Sequence, residues 1–422
     1  MSETFDTAAR KERVVLVAVD CGDENDVEKS LNELQELADT AGAEVVGRLI
    51  QNREKIHPAT YIGKGKIEEL REMIRNVQAD TVISDDELSP AQLGNLEEML
   101  ETKIIDRTVL ILDIFADRAS TKEGKIQVEL AQLRYRSSRL IGLGRSLSRM
   151  GGQSSGLGIG NKGPGEKKLE LDRRLIKDRM TFLYKEVKDV VRAREVLRKQ
   201  RSQNVTKVVA IVGYTNAGKS TLLNTLTDAG VLQEDKLFAT LDPTTRSFKM
   251  ENGQEVLFTD TVGFINKLPH HLIDAFRSTL EEAKYADAIL HVVDASNPNY
   301  EHHMEVVYKT LKHLGVEEKP IITVFNKMDQ IGYEKNDFFK DGNSDRSIKI
   351  SAKERVGLEE LLATLEEILN AGFVTFEKTF SYTETGKIQV IRKYGQLLEE
   401  EYRDDGVYVK ASIPHEFVGG LL

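Results

Sequence analysis

The sequence predicts a multidomain α/β protein. Its parts are an N-terminal parallel α/β subdomain, an antiparallel helical hairpin, a larger α/β domain and a small C-terminal α+β domain. Three observations carry this reading. Strand and helix signals alternate over residues 13–105, and alternate again from residue 207. Between these stretches, apolar residues recur at helical and then heptad spacing, with a glycine-rich segment between the two runs. The expected boundaries are 1–106, 107–204, 205–372 and 373–422.

The elements follow in order. VVLVAVD (14–20) is a short β-branched run, so it reads as a strand. Val27, Leu31, Leu34 and Leu37 share one helical face. AEVVGRLI (43–50) and TVIS (81–84) read as strands, KIEELREMIRNV (66–77) and AQLGNLEEML (91–100) as helices. HPATYIGKGK (57–66) brings two glycines and two lysines before a helix. It is either a tight turn with solvated lysines or a seat for a phosphate. Ile126, Leu130, Leu133, Leu140 and Ile141 lie on one face of the next helix. Leu169, Ile176, Leu183, Val190 and Leu197 recur every seven residues on its partner. The tip GGQSSGLGIGNKGPGEK (151–167) has too much glycine for regular structure. After the second α/β domain come the strands VTFEKTF and VYVKASI, with a helical signal between them.

Composition narrows the function classes. The chain has 422 residues, 59 Lys and Arg, 69 Asp and Glu, and one Cys. With 40% apolar and 30% charged residues it is not a disordered chain. No apolar run of about 18 residues is present, so no transmembrane helix is expected, though peripheral membrane association stays open. The N-terminal stretch has no basic head followed by an apolar segment, so no secretory leader is expected. Cys21 alone forms neither an internal disulfide nor a cysteine cluster, and the cytoplasm is the expected compartment. A monomer is expected.

The net charge of −10 conceals a basic region. Residues 117–201 hold 22 Lys and Arg against 10 Asp and Glu. Within it, residues 130–165 carry Arg134, Arg136, Arg139, Arg145, Arg149 and Lys162 with no acid, and nine glycines. A basic segment on an acidic body is the footprint of local polyanion contact, and these six residues are the candidate RNA ligands.

The second α/β domain carries the chemistry. VVAIVG (208–213) leads into Gly213-Tyr214-Thr215-Asn216-Ala217-Gly218-Lys219-Ser220, with Thr221 opening the following helix. This is G-x-x-x-x-G-K-[ST] between a strand and a helix, the P-loop context. Backbone amides would wrap the β-phosphate, Lys219 would place a cation between the β- and γ-phosphates, and Ser220 would ligate Mg2+. Forty residues on, a strand ends in Asp260-Thr261-Val262-Gly263. There Asp260 would hold the metal through water, and the Gly263 amide would meet the γ-phosphate. Asn326-Lys327-Met328-Asp329 follows the strand PIITVF. A carboxylate at Asp329 accepts from guanine N1–H and the 2-amino group, donors that adenine lacks in that arrangement. Asn326 would brace the P-loop and touch N7. Ser351-Ala352-Lys353 would offer an amide to guanine O6. The γ-phosphate sensor lies in Phe238-Ala239-Thr240-Leu241-Asp242, where Thr240 is favoured over Thr244 and Thr245 as the second metal ligand beside Ser220. Lys219, Thr240 and Gly263 are therefore the candidate catalytic groups of a P-loop GTPase domain.

Together these motifs resemble the translation-factor-related GTPases. With HPATYIGKGK, DRASTKEGKIQVELAQLRYRSSRL, the glycine-rich tip and LFATLDPTTR, the chain resembles the HflX family from about residue 13 to 422. The resemblance implies binding of GTP and GDP with Mg2+, and association with the large ribosomal subunit and its RNA. It also implies a hairpin tip near the peptidyl-transferase centre and a role in splitting or rescuing idle or stressed ribosomes. Where many GTPases have Gln after the DxxG glycine, this chain has Phe264, which cannot hydrogen-bond the attacking water. Slow intrinsic hydrolysis, stimulated by a partner, is expected. His270 and His271 read as exposed neighbours. The competing readings are a signalling or scaffold GTPase acting on a protein or membrane surface, and a second nucleotide site for ATP in the N-terminal domain.

Overall fold

The computed structural model describes residues 10–22, 26–150, 164–201, 206–227, 237–238, 241, 243–269, 272, 282–316, 319–331 and 339–421. It forms two compact units. The first comprises Met1–Val187 with Asn266–Ala275, and the second Lys188–Ile265 with Phe276–Leu422. The α/β class holds in both.

The first unit is built on a four-stranded parallel sheet. Its strands are β1 (Arg13–Asp20), β2 (Glu44–Asn52), β3 (Thr81–Ser84) and β4 (Lys103–Asp106), in the order β2-β1-β3-β4. Val14–Val19 are all buried because helices cover the sheet. Three helices alternate with the strands: α1 (Val27–Thr40), α2 (Lys64–Val77) and α3 (Pro90–Leu100). Leu31, Leu34 and Leu37 are the buried face of α1, as the spacing predicts. Asp26 caps α1, and a Ser89–Gln92 capping box with Pro90 in the first turn starts α3. HPATYIGKGK forms a turn. His57 and Tyr61 exchange backbone bonds, the His57 ring accepts from the Thr60 amide, and the Gly63 amide donates to Gln51.

The helical part is more divided than the sequence reading. The helix α4 (Arg107–Arg118) stands apart from α5 (Lys122–Met150), and α6 (Pro164–Arg201) follows. Ile126 and Leu130 of α5 pack on Leu183 of α6, flanked by Leu133, Met180 and Val187. Arg179 adds a two-bond pair with Glu129. The tip, residues 151–163, lies outside the described residues. Asp106 is the hub beneath α5. Fully buried, it caps α4 and accepts from the Leu88 amide, the Tyr135 hydroxyl and Arg139.

The second unit is a six-stranded sheet in the order β10-β9-β8-β5-β7-β6. The strands are β5 (Lys207–Gly213), β6 (Thr244–Lys249), β7 (Glu255–Asp260), β8 (Ala288–Asp294), β9 (Ile321–Asn326) and β10 (Arg346–Lys349). Only β6, at one edge, runs antiparallel to its neighbour. The helices α7 (Lys219–Thr227), α8 (Tyr300–His313) and α9 (Leu358–Leu369) complete its core. The chain then makes a three-stranded antiparallel sheet, order β11-β13-β12, from β11 (Phe373–Phe380), β12 (Gln396–Arg403) and β13 (Gly406–Pro414), with α10 (Thr385–Tyr394) packed on it. β12, rich in Glu and with four of its first seven positions open to solvent, escaped the sequence reading.

Candidate nucleotide site

The site is assembled at the carboxyl ends of β5, β7, β8 and β9, where loops of a parallel sheet converge. β5 is buried from Val209 to Val212 and delivers the P-loop at Gly213. Two glycines are dictated by contact. A Cβ on Gly213 would sit 2.3 Å from the Val292 carbonyl oxygen. One on Gly218, at φ +93°, would sit 2.3 Å from the Asn326 amide nitrogen. Asn326 uses that close approach. Its Nδ2 donates to the Ala217 carbonyl at 2.9 Å, and its Oδ1 accepts from the Ala352 amide at 3.0 Å. One buried carboxamide thus ties the P-loop to the Ser351–Lys353 loop.

The Lys219 ammonium is buried and donates to the Tyr214 carbonyl at 2.7 Å. Burial lowers its pKa to about 8, with Asp260 opposing the shift and Lys327 adding to it. Ser220 Oγ donates to Asp260 Oδ2 at 2.7 Å, so hydroxyl and carboxylate converge at the start of α7. Thr261 is anchored to the Ile211 carbonyl at 2.8 Å. The Thr215 amide donates to the Phe264 carbonyl at 2.8 Å, and the Phe264 amide to the Gly213 carbonyl at 3.1 Å. Gly263 therefore lies on the P-loop. A Cβ there would come 2.9 Å from Lys219 Nζ and 3.0 Å from Thr215 Cα.

The base-side motifs are likewise held. Ser351 Oγ donates to Asp329 Oδ1 at 2.7 Å, and the Glu354 amide donates back to Ser351 Oγ at 3.2 Å. Lys327, at φ +65°, pairs with Asp294 at 2.8 Å. Met328, Val262, Phe238 and Leu241 are buried. Met328 packs with Val293, Phe325 and Phe339, so its side chain belongs to the core. Asn216 sits at φ +59° in the loop. Ala239, Thr240 and Asp242 lie outside the described residues, as do His270 and His271.

Two contacts were not foreseen. The Tyr214 ring stacks on His303 of α8, with centroids 3.8 Å apart and planes 5° apart. Burial, helped by His302 and opposed by Asp294, lowers the His303 pKa to about 4, so the stacked ring is neutral at pH 7. Asp294 is the second. Its signal was available, because it ends the apolar strand AILHVVD as Asp260 ends EVLFTD. Nothing in the sequence marks His303.

The two donors Ser220 and Asp260 fit a magnesium ion. Mg2+ takes oxygen ligands and keeps several waters, so one or two protein oxygens beside phosphates suffice. Among the described residues no cluster of three or more His, Cys, Asp or Glu offers a fuller cage.

Of the candidate RNA ligands, Arg139 is committed to Asp106 at 2.5 Å and lies over the Tyr135 ring. Arg134 donates to the Tyr184 hydroxyl. Arg136 is exposed, beside Leu140, Leu175 and Ile176. The side chains of Arg145 and Arg149, and all of Lys162, lie outside the described residues.

Comparison with known proteins identifies the chain's relatives. Residues 28–116 match the family described as GTP-binding GTPase N-terminal, and 118–201 the GTP-binding GTPase middle region. Residues 208–327 match the 50S ribosome-binding GTPase. GTPase HflX of Lacrimispora saccharolytica is 60% identical over 421 residues, which cover 100% of this chain and 98% of the relative. The chain belongs to the HflX family of GTPases. GTPase HflX of Caldanaerobacter subterraneus is 50% identical, covering 97% of this chain and 92% of its own. That of Alkalihalophilus pseudofirmus is 47% identical, covering 93% and 90%. As an HflX protein the chain is a GTPase, and it carries a domain of the ribosome-binding GTPase type. Among the described residues no helix is long and apolar enough to cross a membrane.

Proposed function

We propose that this HflX GTPase binds the large ribosomal subunit and couples GTP binding and hydrolysis to the splitting or rescue of idle or stressed ribosomes. The observation that carries the reading is the match of residues 208–327, which include the P-loop, to the 50S ribosome-binding GTPase family. The acid-free basic stretch 130–165 supports an RNA contact. In this reading the four parts are 1–106, 107–204, 205–372 and 373–422, and the protein works in the cytoplasm.

The nucleotide site runs from Gly213–Thr221 through Phe238–Asp242, Asp260–Gly263 and Asn326–Asp329 to Ser351–Lys353. The loop amides and Lys219 take the phosphates, and Asp329, held by Ser351, takes the guanine N1–H and 2-amino group. Ser220 and Thr240 would hold Mg2+, with Asp260 behind them through water. When bound there, such an ion would neutralise charge on the phosphates. Lys219 and the Gly263 amide stabilise the transferring γ-phosphoryl group, and Thr240 orders its loop around it. Phe264 supplies no donor to an attacking water, so turnover of the isolated protein is slow.

The test is GTP turnover with and without purified large subunits, beside co-sedimentation of the protein with those subunits. Turnover should rise at least tenfold on the subunits, and a GTP analogue should retain more protein than GDP. Equal retention with both nucleotides defeats the switch.

A further inference from the structure

Within the second unit, β8 and β9 are parallel neighbours. Asp294, the last residue of β8, lies opposite Asn326, the last of β9. Lys327 follows Asn326, so the register brings an acid and a base together at two adjacent strand ends. The carboxylate is oriented from its own side. Its Oδ1 accepts from the Ser296 amide at 3.0 Å and from the Ser296 hydroxyl at 2.5 Å, which leaves Oδ2 to face the Lys327 ammonium at 2.8 Å. The backbones are tied as well, because the Ala295 amide donates to the Asn326 carbonyl at 3.0 Å. Both charged side chains are mostly buried.

The lysine is also held at its backbone. It is left-handed, a conformation uncommon outside glycine, and it caps the short turn Met328–Gln330. The Met328 amide donates to the Ile350 carbonyl at 3.2 Å, and the Gln330 amide to the Lys327 carbonyl at 3.0 Å. The side chain of Lys327 therefore spans from the NKMD turn to the end of β8 with both ends fixed. An unanchored lysine has a flexible stem and loses much rotamer freedom when it lies against a ligand. Here that freedom is already lost to the protein's own ion pair, which is preorganisation. In the proposed site Asp329 and the Ser351–Lys353 loop take the edge of the guanine. Those contacts choose the base but do not cover its flat faces. The methylene stem of a lysine beside them is an apolar surface that can.

We propose that Asp294 is a positioning residue for the guanine base: by anchoring the Lys327 ammonium it lays the apolar stem of that lysine along the ring face. The inference deepens the proposed nucleotide site and rests on it. The anchor serves the base and not the phosphates, so it supports GDP and GTP alike.

The test uses the full-length chain at equilibrium with fluorescent GDP and a fluorescent non-hydrolysable GTP analogue. Pyrophosphate, which has phosphates and no base, serves as a competitor. Asp294→Asn keeps the size of the side chain and an acceptor for Ser296, and removes the charge. Affinity for GDP and for the analogue should both fall about fivefold, the order of one lost hydrogen bond, while pyrophosphate affinity is retained. In a Lys327→Met background the same substitution should cause no further loss, because no ammonium is left to anchor. Unchanged GDP affinity in Asp294→Asn, an equal fall for pyrophosphate, or a second fall of similar size in the Lys327→Met background overturns the proposal. Failure of the nucleotide site itself is seen separately, as Lys219→Ala retaining GDP and pyrophosphate alike.

Discussion

Two carboxylates stand at the carboxyl ends of parallel strands in two sheets of this molecule and meet opposite fates. Asp85 directly follows β3 and faces inward to Ser30, Arg107 and Lys267. Asp260 ends β7 and faces Ser220 and the P-loop. Both are buried. The strand ends are alike, so the difference lies in what the neighbouring loop brings. β1 is followed by residues that lead to a capped helix with no G-x-x-x-x-G-K-[ST] run, whereas β5 is followed by the P-loop. A strand-end acid therefore signals a ligand site only beside a loop able to bind one. Elsewhere it is a structural ion pair.

Substitutions can break this comparison. Asp85→Ala removes a carboxylate partner from the buried Arg107, which also pairs with Glu33. We expect a loss of about 3–5 kcal/mol in the unfolding free energy of the protein, the usual cost of breaking a buried pair, with GTP affinity changed little by comparison. Asp260→Ala should do the reverse, and a chemical denaturation curve paired with nucleotide titration separates the two. A common loss in both variants would erase the distinction.

Next in size is Lys219→Ala, which should weaken GTP by about a hundredfold, or roughly 2.7 kcal/mol. Burial pushes the pKa of the same ammonium down to about 8. Binding should therefore decline as the pH rises through that value, because the neutral amine no longer attracts phosphate. Isothermal titration at pH 7 and 9 checks both.

His303→Ala removes the ring beneath Tyr214. The stack is worth about 1 kcal/mol, so nucleotide affinity should fall roughly fivefold, and His303→Phe should restore it. Failure of Phe to rescue would show that the imidazole nitrogens, not the face, matter.

The smallest effect is a pH dependence of stability. Burial lowers both His291 and His303 to about 4, from an ordinary 6.5. The unfolded chain therefore binds their protons first on acidification. Stability from the two is present in full above pH 6.5 and is lost progressively toward pH 4. Thermal melts at pH 7 and 5 should differ by less in His291→Leu than in the parent.

The P-loop, DxxG, NKMD and SAK runs were legible because each is local: a strand, then a few residues whose backbone and side chains act at once. The parallel sheets were legible for the same reason, as β-branched runs alternating with amphipathic helices. What escaped depends on partners far apart in the chain. Arg139 counts as a free basic residue in any charge tally, yet Asp106, 33 residues away, holds it. Lys267 lies 182 positions from Asp85. β4 is four residues with a charge at each end, KIID, which hides its short apolar centre, and β12 carries so many acids that its strand pairing outweighs its composition.

That acidic strand has a consequence of its own. Among the described residues, β12 borders its sheet, hydrogen-bonded on one side to β13. An open border normally invites a foreign chain to extend the ladder. Glu399 and Glu401 are open to solvent along it, with Glu400 half-covered between them. Glu400 pairs with Arg392 and Glu401 with Arg403, so the border is lined by charged side chains of both signs, which make a second copy of the same border an unwelcome guest. Charged side chains along its border thus work against self-templating of the C-terminal sheet at neutral pH.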